Sequence, residues 1–193
     1  MVKSNKTLTF KVVMVGNSGV GKTSLVNRIV NGTFNEQEAP TIGSQYVSVE
    51  RTVENQQITL ELWDTAGQEA YRSIVGFYSR DSKGAFLLFD VTNKETFQTL
   101  SKWIDFMNES APEAKIFLFG NKNDLDNREV TEEQINNLAE SNGLEWFEGS
   151  AKTGQNLEEL IVNMCEKMYE CFGPENKKNT VELNSNKKGK CMI

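Results

Sequence analysis

The sequence contains no histidine. That absence excludes a Ser/His/Asp triad, a Cys/His pair and any histidine-bound metal, so catalysis here must use carboxylates, amides, backbone groups or a hard cation. Cysteine is scarce: Cys165, Cys171 and Cys191 form an odd, late-clustered set without metal-ligand spacing. Neither a disulfide framework nor a zinc site is expected from it, and a reducing compartment fits best. Long apolar runs are missing as well. The longest, Ala85 to Phe89, falls far short of the ~20 residues of a membrane-spanning helix, and no apolar stretch follows Lys3 and Lys6 to make a signal peptide. A cytoplasmic protein is expected. Basic charge is thin over most of the chain, since residues 1–172 hold 16 of the 21 basic and 25 of the 27 acidic residues, a net −9 against +3 for residues 173–193. An acidic body of this kind argues against nucleic acid as a partner.

What remains suits one globular domain with a tail. The 193 residues are 38% hydrophobic and 25% charged, enough to bury a sizeable core. Leu8 to Val15 reads as a buried strand running into a glycine-rich turn, and Lys22 to Asn31 as a helix stopped at Asn31-Gly32. Tyr46 to Glu54 and Gln57 to Trp63 alternate around Asn55-Gln56 like an antiparallel hairpin. Gly84 to Val91 and Lys115 to Gly120 have the character of central parallel strands. A capping-box pattern, Thr92 to Glu95, opens a helix whose Phe97, Leu100, Trp103, Ile104 and Met107 share one face. Thr131 to Gln134 opens another, Leu144 to Phe147 is a short strand, and Asn156 caps a last helix with Cys165 and Cys171 among its packed residues. The expected fold class is α/β, a mostly parallel sheet with one antiparallel pairing and helices on both faces, binding ligands beyond the carboxyl ends of its strands. Residues 1–172 form the domain and 173–193, rich in Asn, Lys and Ser, a flexible basic tail.

Three short motifs carry the chemistry. Gly16-Asn17-Ser18-Gly19-Val20-Gly21-Lys22-Thr23, followed by Ser24, fits a phosphate loop, in which backbone N–H groups wrap an anion at a helix N-terminus. Lys22 would neutralise phosphate oxygens and Thr23 would offer its hydroxyl to Mg²⁺. By chance such a pattern is expected in roughly one chain of this length in a hundred, and seldom between a strand and a helix. Trp63-Asp64-Thr65-Ala66-Gly67-Gln68-Glu69 follows a strand, placing Asp64 within reach of the Mg²⁺ shell and the Gly67 N–H near a terminal phosphate; alone, Asp64 would read as a turn residue. Asn121-Lys122-Asn123-Asp124 and Ser150-Ala151-Lys152 lie on two further loops at strand ends. A carboxylate at Asp124 can accept from the ring N–H and exocyclic amine of guanine, whereas adenine would leave it unpaired.

Together these residues resemble the Ras-like small GTPases, and within them the Rab branch, from Leu8 to about Phe172. The resemblance implies a phosphate-loop NTPase fold, GTP/GDP and Mg²⁺ as cofactors, and slow hydrolysis of GTP to GDP. It further implies that Phe34 packs against guanine, that Thr41 ligates Mg²⁺ and senses the γ-phosphate, and that Gln68 orients the attacking water. Asn121, Lys122 and Asp124 would hold the base, with the Ala151 N–H on its carbonyl oxygen and Lys152 lining the pocket. Effectors would be met through Thr41 to Tyr46, Trp63 and Tyr71 to Tyr78, with an exchange factor and a GTPase-activating protein as regulators. Trp63 with Tyr46 and Tyr78 resembles the Rab aromatic triad. Rho is disfavoured because Asp124 to Ser150 leaves no room for an inserted helix, Arf because Val2 stands where a myristoylated glycine is needed, and Ran because the chain ends in lysines.

Some residues depart from the family pattern. Tyr78-Ser79-Arg80-Asp81-Ser82 replaces Tyr-Tyr-Arg-Gly-Ala, and Ala70 stands where arginine is usual. Cys191 is single and followed only by Met192 and Ile193, one residue short of a prenylation box. Lys187, Lys188 and Lys190 beside it resemble the basic half of a two-signal membrane anchor on the cytosolic face of endomembranes; the other reading is a solubilising tail with a free thiol. The function expected is a nucleotide-dependent switch in vesicle trafficking. Set against it are a nucleotide-gated scaffold in which hydrolysis matters little and a small-metabolite kinase, which lacks an arginine-rich lid and leaves Asn121 to Asp124 unexplained.

Overall fold

The computed structural model describes residues 7–39, 41, 44–65 and 72–174, leaving out the side chains of 72–74. The elements run β1 (Leu8–Val15), α1 (Lys22–Asn31), β2 (Ser44–Val53), β3 (Gln56–Thr65), α2 (Arg72–Ser79), β4 (Gly84–Asp90), α3 (Lys94–Gln98), α4 (Leu100–Ser110), β5 (Lys115–Asn121), α5 (Glu132–Asn142), β6 (Glu145–Glu148) and α6 (Leu157–Phe172). The strands form one sheet in the order β2-β3-β1-β4-β5-β6. The β2/β3 pair is antiparallel and the other pairings are parallel, as expected for the phosphate-loop α/β class.

Strand periodicity divides the core in two. Met14, Phe86, Leu88, Phe117 and Phe119 face α1 and α6, against Leu25, Ile161, Met164 and Cys165. Their neighbours Val13, Val15, Leu87, Phe89 and Leu118 face the opposite side, against Val75, Trp103, Ile104 and Ile135 of α2, α4 and α5. Near-continuous apolar strands are what burial on both faces requires. Because the parallel strands share one direction, the loops after β1, β3, β5 and β6 open on one edge of the sheet, where ligands of such folds bind.

Several local expectations need correction. The hairpin turns at Glu54 and Asn55, both left-handed (φ 47° and 66°), one residue earlier than expected, a tip whose twist matches the flanking strands. The helix after β4 is broken at Thr99 into α3 and α4. Its cap is Asn93, whose Oδ1 accepts from the Glu95 N–H at 3.0 Å, while Thr92 is held back against β4, its N–H and hydroxyl both donating to Asp90 Oδ1 at 2.9 and 2.7 Å. Asn156 holds the cap position of α6 in a left-handed conformation but caps nothing; its side chain donates to Glu148 O at 2.7 Å instead. The Thr131/Gln134 capping box of α5 forms as expected. Helix α2 was not expected from the sequence. It ends in the departing segment, where Asp81 adopts φ 61°, a conformation that glycine takes more readily.

Candidate functional site

The loop between β1 and α1 turns back because two glycines allow it. At Gly16 (φ 134°) a Cβ would sit 2.3 Å from Leu88 O, and at Gly21 (φ 95°) it would sit 2.4 Å from Asn121 Nδ2. The loop is tied to its neighbours by side chains: Asn17 Oδ1 accepts from Trp103 Nε1 at 2.8 Å and from Thr99 Oγ1 at 3.0 Å. The break at Thr99 is therefore where α3 and α4 grip the loop. Lys22 Nζ donates to Gly16 O at 2.9 Å and Asn17 O at 2.8 Å and is only 5% exposed. Burial pushes its ammonium down to about 8, with Asp64 opposing the shift. A cation held this way gains when an anion enters beside it.

Next to Lys22, three oxygen groups converge. Thr23 Oγ1 donates to Asp64 Oδ2 at 2.6 Å and lies 2.6 Å from Thr41 Oγ1. A hydroxyl has one proton, so with Thr23 donating to the carboxylate, Thr41 donates to Thr23. Asp64 is buried, and its other oxygen, Oδ1, has no partner among the described residues. Burial raises its pKa, with the Thr23 hydrogen bond and Lys22 opposing. Two hydroxyls and a half-satisfied carboxylate make a hard-oxygen set suited to Mg²⁺, which takes one or two carboxylates together with substrate phosphates. The residues present therefore fit both a phosphate and its cation.

The third motif forms the other end of the site. Asn121 Nδ2 donates to Val20 O at 2.8 Å, and its Oδ1 accepts the Ala151 N–H at 2.9 Å, joining the phosphate loop to the loop after β6. Ser150 Oγ donates to Asp124 Oδ1 at 2.6 Å and accepts from the N–H groups of Lys152 and Thr153, each at 3.1 Å. Lys122, left-handed at φ 67°, pairs with Asp90 Oδ2 at 2.7 Å. Lys152 Nζ meets Glu36 Oε1 at 2.7 Å in an exposed ion pair, a type worth little in water.

These groups enclose a cavity of about 450 Å³. Among the described residues named from the sequence, Ser18, Gly19, Gly21, Lys22, Thr23, Ser24, Phe34, Thr41, Asn121, Lys122, Asp124, Ser150, Ala151 and Lys152 line it. Gly16, Val20 and Asp64 lie behind that lining, Val20 fully buried and Asp64 in contact through Thr23. Gly67 and Gln68 lie outside the described residues, as do Tyr71, Lys187, Lys188, Lys190 and Cys191. Asn35, Glu36, Glu38, Ala39, Thr65 and Leu125 also line the cavity and were not singled out from the sequence. Only their proximity to the motifs could have suggested them.

Beside the site, Trp63 lies between two tyrosines, with Tyr46 stacked on it at 5.1 Å and Tyr78 tilted at 5.6 Å. Tyr46, near the start of β2, and Phe77, whose ring meets Tyr78 on α2, are exposed apolar side chains. Among the described residues no helix is long and apolar enough to cross a membrane.

Comparison with known proteins agrees with this geometry. The Ras family model matches residues 11–170. A ras-related Rab-5B protein of Dictyostelium discoideum is 39% identical over 165 residues, which cover 84% of this chain and 77% of that protein. The Ras-related protein RABA6b of Arabidopsis thaliana is 40% identical over 163 residues, 83% of this chain and 71% of that protein. The chain belongs to the Ras family, as a small GTPase of the Rab branch that binds GTP and GDP with Mg²⁺ and hydrolyses GTP to GDP.

Proposed function

We propose that the cavity holds the guanine nucleotide along its length and that the chain acts as a GTP-dependent switch in membrane trafficking. The observation that carries this reading is the convergence of Thr41 and Asp64 on the Thr23 hydroxyl, each at 2.6 Å, directly beside buried Lys22. Residues from three separate segments meet there only when all three segments are in place.

In this reading Lys22 and the backbone N–H groups of Ser18 to Thr23 hold the phosphates, and Thr23, Thr41 and Asp64 supply oxygen to the cation. When bound, Mg²⁺ neutralises charge on the phosphate oxygens. Asn121, Lys122, Asp124 and Ser150 to Lys152 hold the base, with Phe34 against its face. Gln68 orients the attacking water and the Gly67 N–H senses the terminal phosphate. Thr41 and Gly67 sit on separate segments, so loss of that phosphate releases both and alters the surface a partner reads.

No arginine is among the described residues that line the cavity. An arginine supplied in trans is worth up to about 10⁵ in rate in this chemistry, roughly 7 kcal/mol, so turnover alone is slow. Small GTPases of this branch work with effectors, exchange factors and GTPase-activating proteins. The effector surface assigned here is Thr41 to Tyr46, Trp63 and Tyr71 to Tyr78. Residues 1–172 are assigned to the GTP-binding domain and 173–193 to a basic tail, whose Lys187, Lys188, Lys190 and Cys191 form a membrane-facing segment on the cytosolic side.

Single-turnover GTP hydrolysis in the wild type and in Gln68→Leu tests the catalytic assignment, and equal rates refute it. GDP release with and without EDTA tests the cation site: chelation accelerates release from the wild type and does so far less in Asp64→Asn. Equal sensitivity in both removes Asp64 from the site.

A further inference from the structure

We infer that Arg28 is a positioning residue for the base end of the site, its guanidinium clamping residues 150–152 against helix α1. Arg28 does not itself line the cavity and was not singled out from the sequence. Its Nε donates to Ala151 O at 2.9 Å, its Nη2 donates to Lys152 O, and its Nη1 donates to Gly32 O at 2.6 Å. The inference rests on the base being placed beside Asn121, Asp124 and Ala151, as proposed above.

An arginine in the last turn of a helix ordinarily serves only the helix, meeting its free carbonyls and its negative end. The Nη1 bond to Gly32 does that here. The other two bonds go to adjacent carbonyls more than a hundred residues away in sequence. The guanidinium meets these two carbonyls and Gly32 O at once from one rigid plane, a fixed spread of donors that the single nitrogen of an ammonium on the same stem does not reproduce.

The consequence follows from what else holds that loop. The Ala151 peptide is gripped on both sides, its N–H by Asn121 Oδ1 at 2.9 Å and its C=O by Arg28. Ser150 is tied inward through Asp124. Among the described residues, Lys152 has an exposed ion pair to Glu36 besides the Arg28 bond and its own turn. Without the fork, the outer half of the loop is left with the exposed Lys152–Glu36 pair and the bonds of its own turn. Helix α1 makes this attachment a spacing device. Lys22, at the phosphate end, and Arg28 are six residues apart on one helix, about 9 Å of rise. Arg28 thereby fixes how far the base loop stands from the phosphate loop.

The test uses the full chain loaded with labelled GDP or IDP, which differ at the exocyclic amine but share the ring carbonyl. Arg28→Lys keeps charge and stem and loses the fork. It is expected to speed release of both nucleotides by about tenfold, the worth of one hydrogen bond to a charged donor. The GDP to IDP ratio and the EDTA acceleration are expected to stay as in the wild type, since neither Asp124 nor the cation site is touched. Unchanged release, or a change confined to the ratio or to the EDTA factor, overturns the inference. Hydrogen exchange of GDP-loaded Arg28→Lys supplies the structural readout: amides of 151–153 exchange faster while those of β1 do not, and unchanged exchange at 151–153 also overturns it. Asp124→Asn separates the two levels. If it holds GDP as tightly as the wild type, the placement of the base fails, whereas loss of GDP there with an unaffected Arg28→Lys sinks the clamp alone.

Discussion

Replacing Gly21 by alanine is expected to damage the base site through the phosphate loop. The added Cβ would stand 2.4 Å from Asn121 Nδ2, closer than any relaxed contact, and Gly21 sits at φ 95°, where an L side chain is strained. The strain costs about 1–2 kcal/mol. Asn121 must also withdraw from Val20 O and the Ala151 N–H, two buried bonds worth about 1 kcal/mol each. The sum for Gly21→Ala is about 3–4 kcal/mol. Asn121→Ala leaves the same two backbone groups without partners and costs about 3 kcal/mol. In the double variant the clash has nothing left to displace, so the total is about 4–5 kcal/mol, roughly 2 kcal/mol below the sum of the singles. The assay is urea unfolding of all four proteins stripped of nucleotide and Mg²⁺ by EDTA and phosphatase, since at any fixed GDP concentration the ligand contribution would follow each variant's own affinity. Additivity within about 0.5 kcal/mol would refute the reasoning, since independent sites add to that tolerance.

Three further predictions concern groups around the site and the core. Ser82 is buried and its hydroxyl has no partner among the described residues, so Ser82→Ala is expected to raise stability by about 1–2 kcal/mol in urea unfolding; a loss would mean that the hydroxyl is satisfied. Trp103→Phe removes the indole donor to Asn17 and keeps a ring in the core; it is expected to lower stability by about 1–2 kcal/mol and to speed GDP release, and release at the wild-type rate would detach this bond from the site. Burial pushes the Cys165 thiol up to about 12 from its ordinary 9.0, so the native fold favours the protonated form. This contribution is intact below pH 9 and is lost as pH rises from 9.0 toward 12. Cys165 is therefore expected to resist iodoacetamide at pH 8 in the folded protein and to react once unfolded; rapid native labelling contradicts its burial.

How much of this was legible in the sequence depended on the range of the interactions. The bounds of β1 and α1 follow from an apolar β-branched run, a glycine-rich turn and Asn31-Gly32, all of them local signals. The break at Thr99 did not, because the periodic face of Phe97 to Met107 continues across it, and the Asn17 side chain that both Thr99 and Trp103 meet arrives from the phosphate loop, over eighty residues earlier in the chain. At Thr92 the capping pattern was present, but its N–H and hydroxyl both donate to Asp90 at the end of the preceding strand, and Asn93 takes the cap.

The sequence by itself determined the chemistry: no histidine, a phosphate loop, a strand-end aspartate and an Asn-Lys-x-Asp segment, each readable from residue type and spacing. Tertiary structure decided what those groups do to one another. It set Asp64 and Thr41 on the Thr23 hydroxyl, drew Asn121 between Val20 and Ala151, and turned Arg28 from a helix-end cation into a link to a loop over a hundred residues away. Such contacts depend on strand order and on the shared direction of parallel strands, and neither is encoded in any short stretch of the chain.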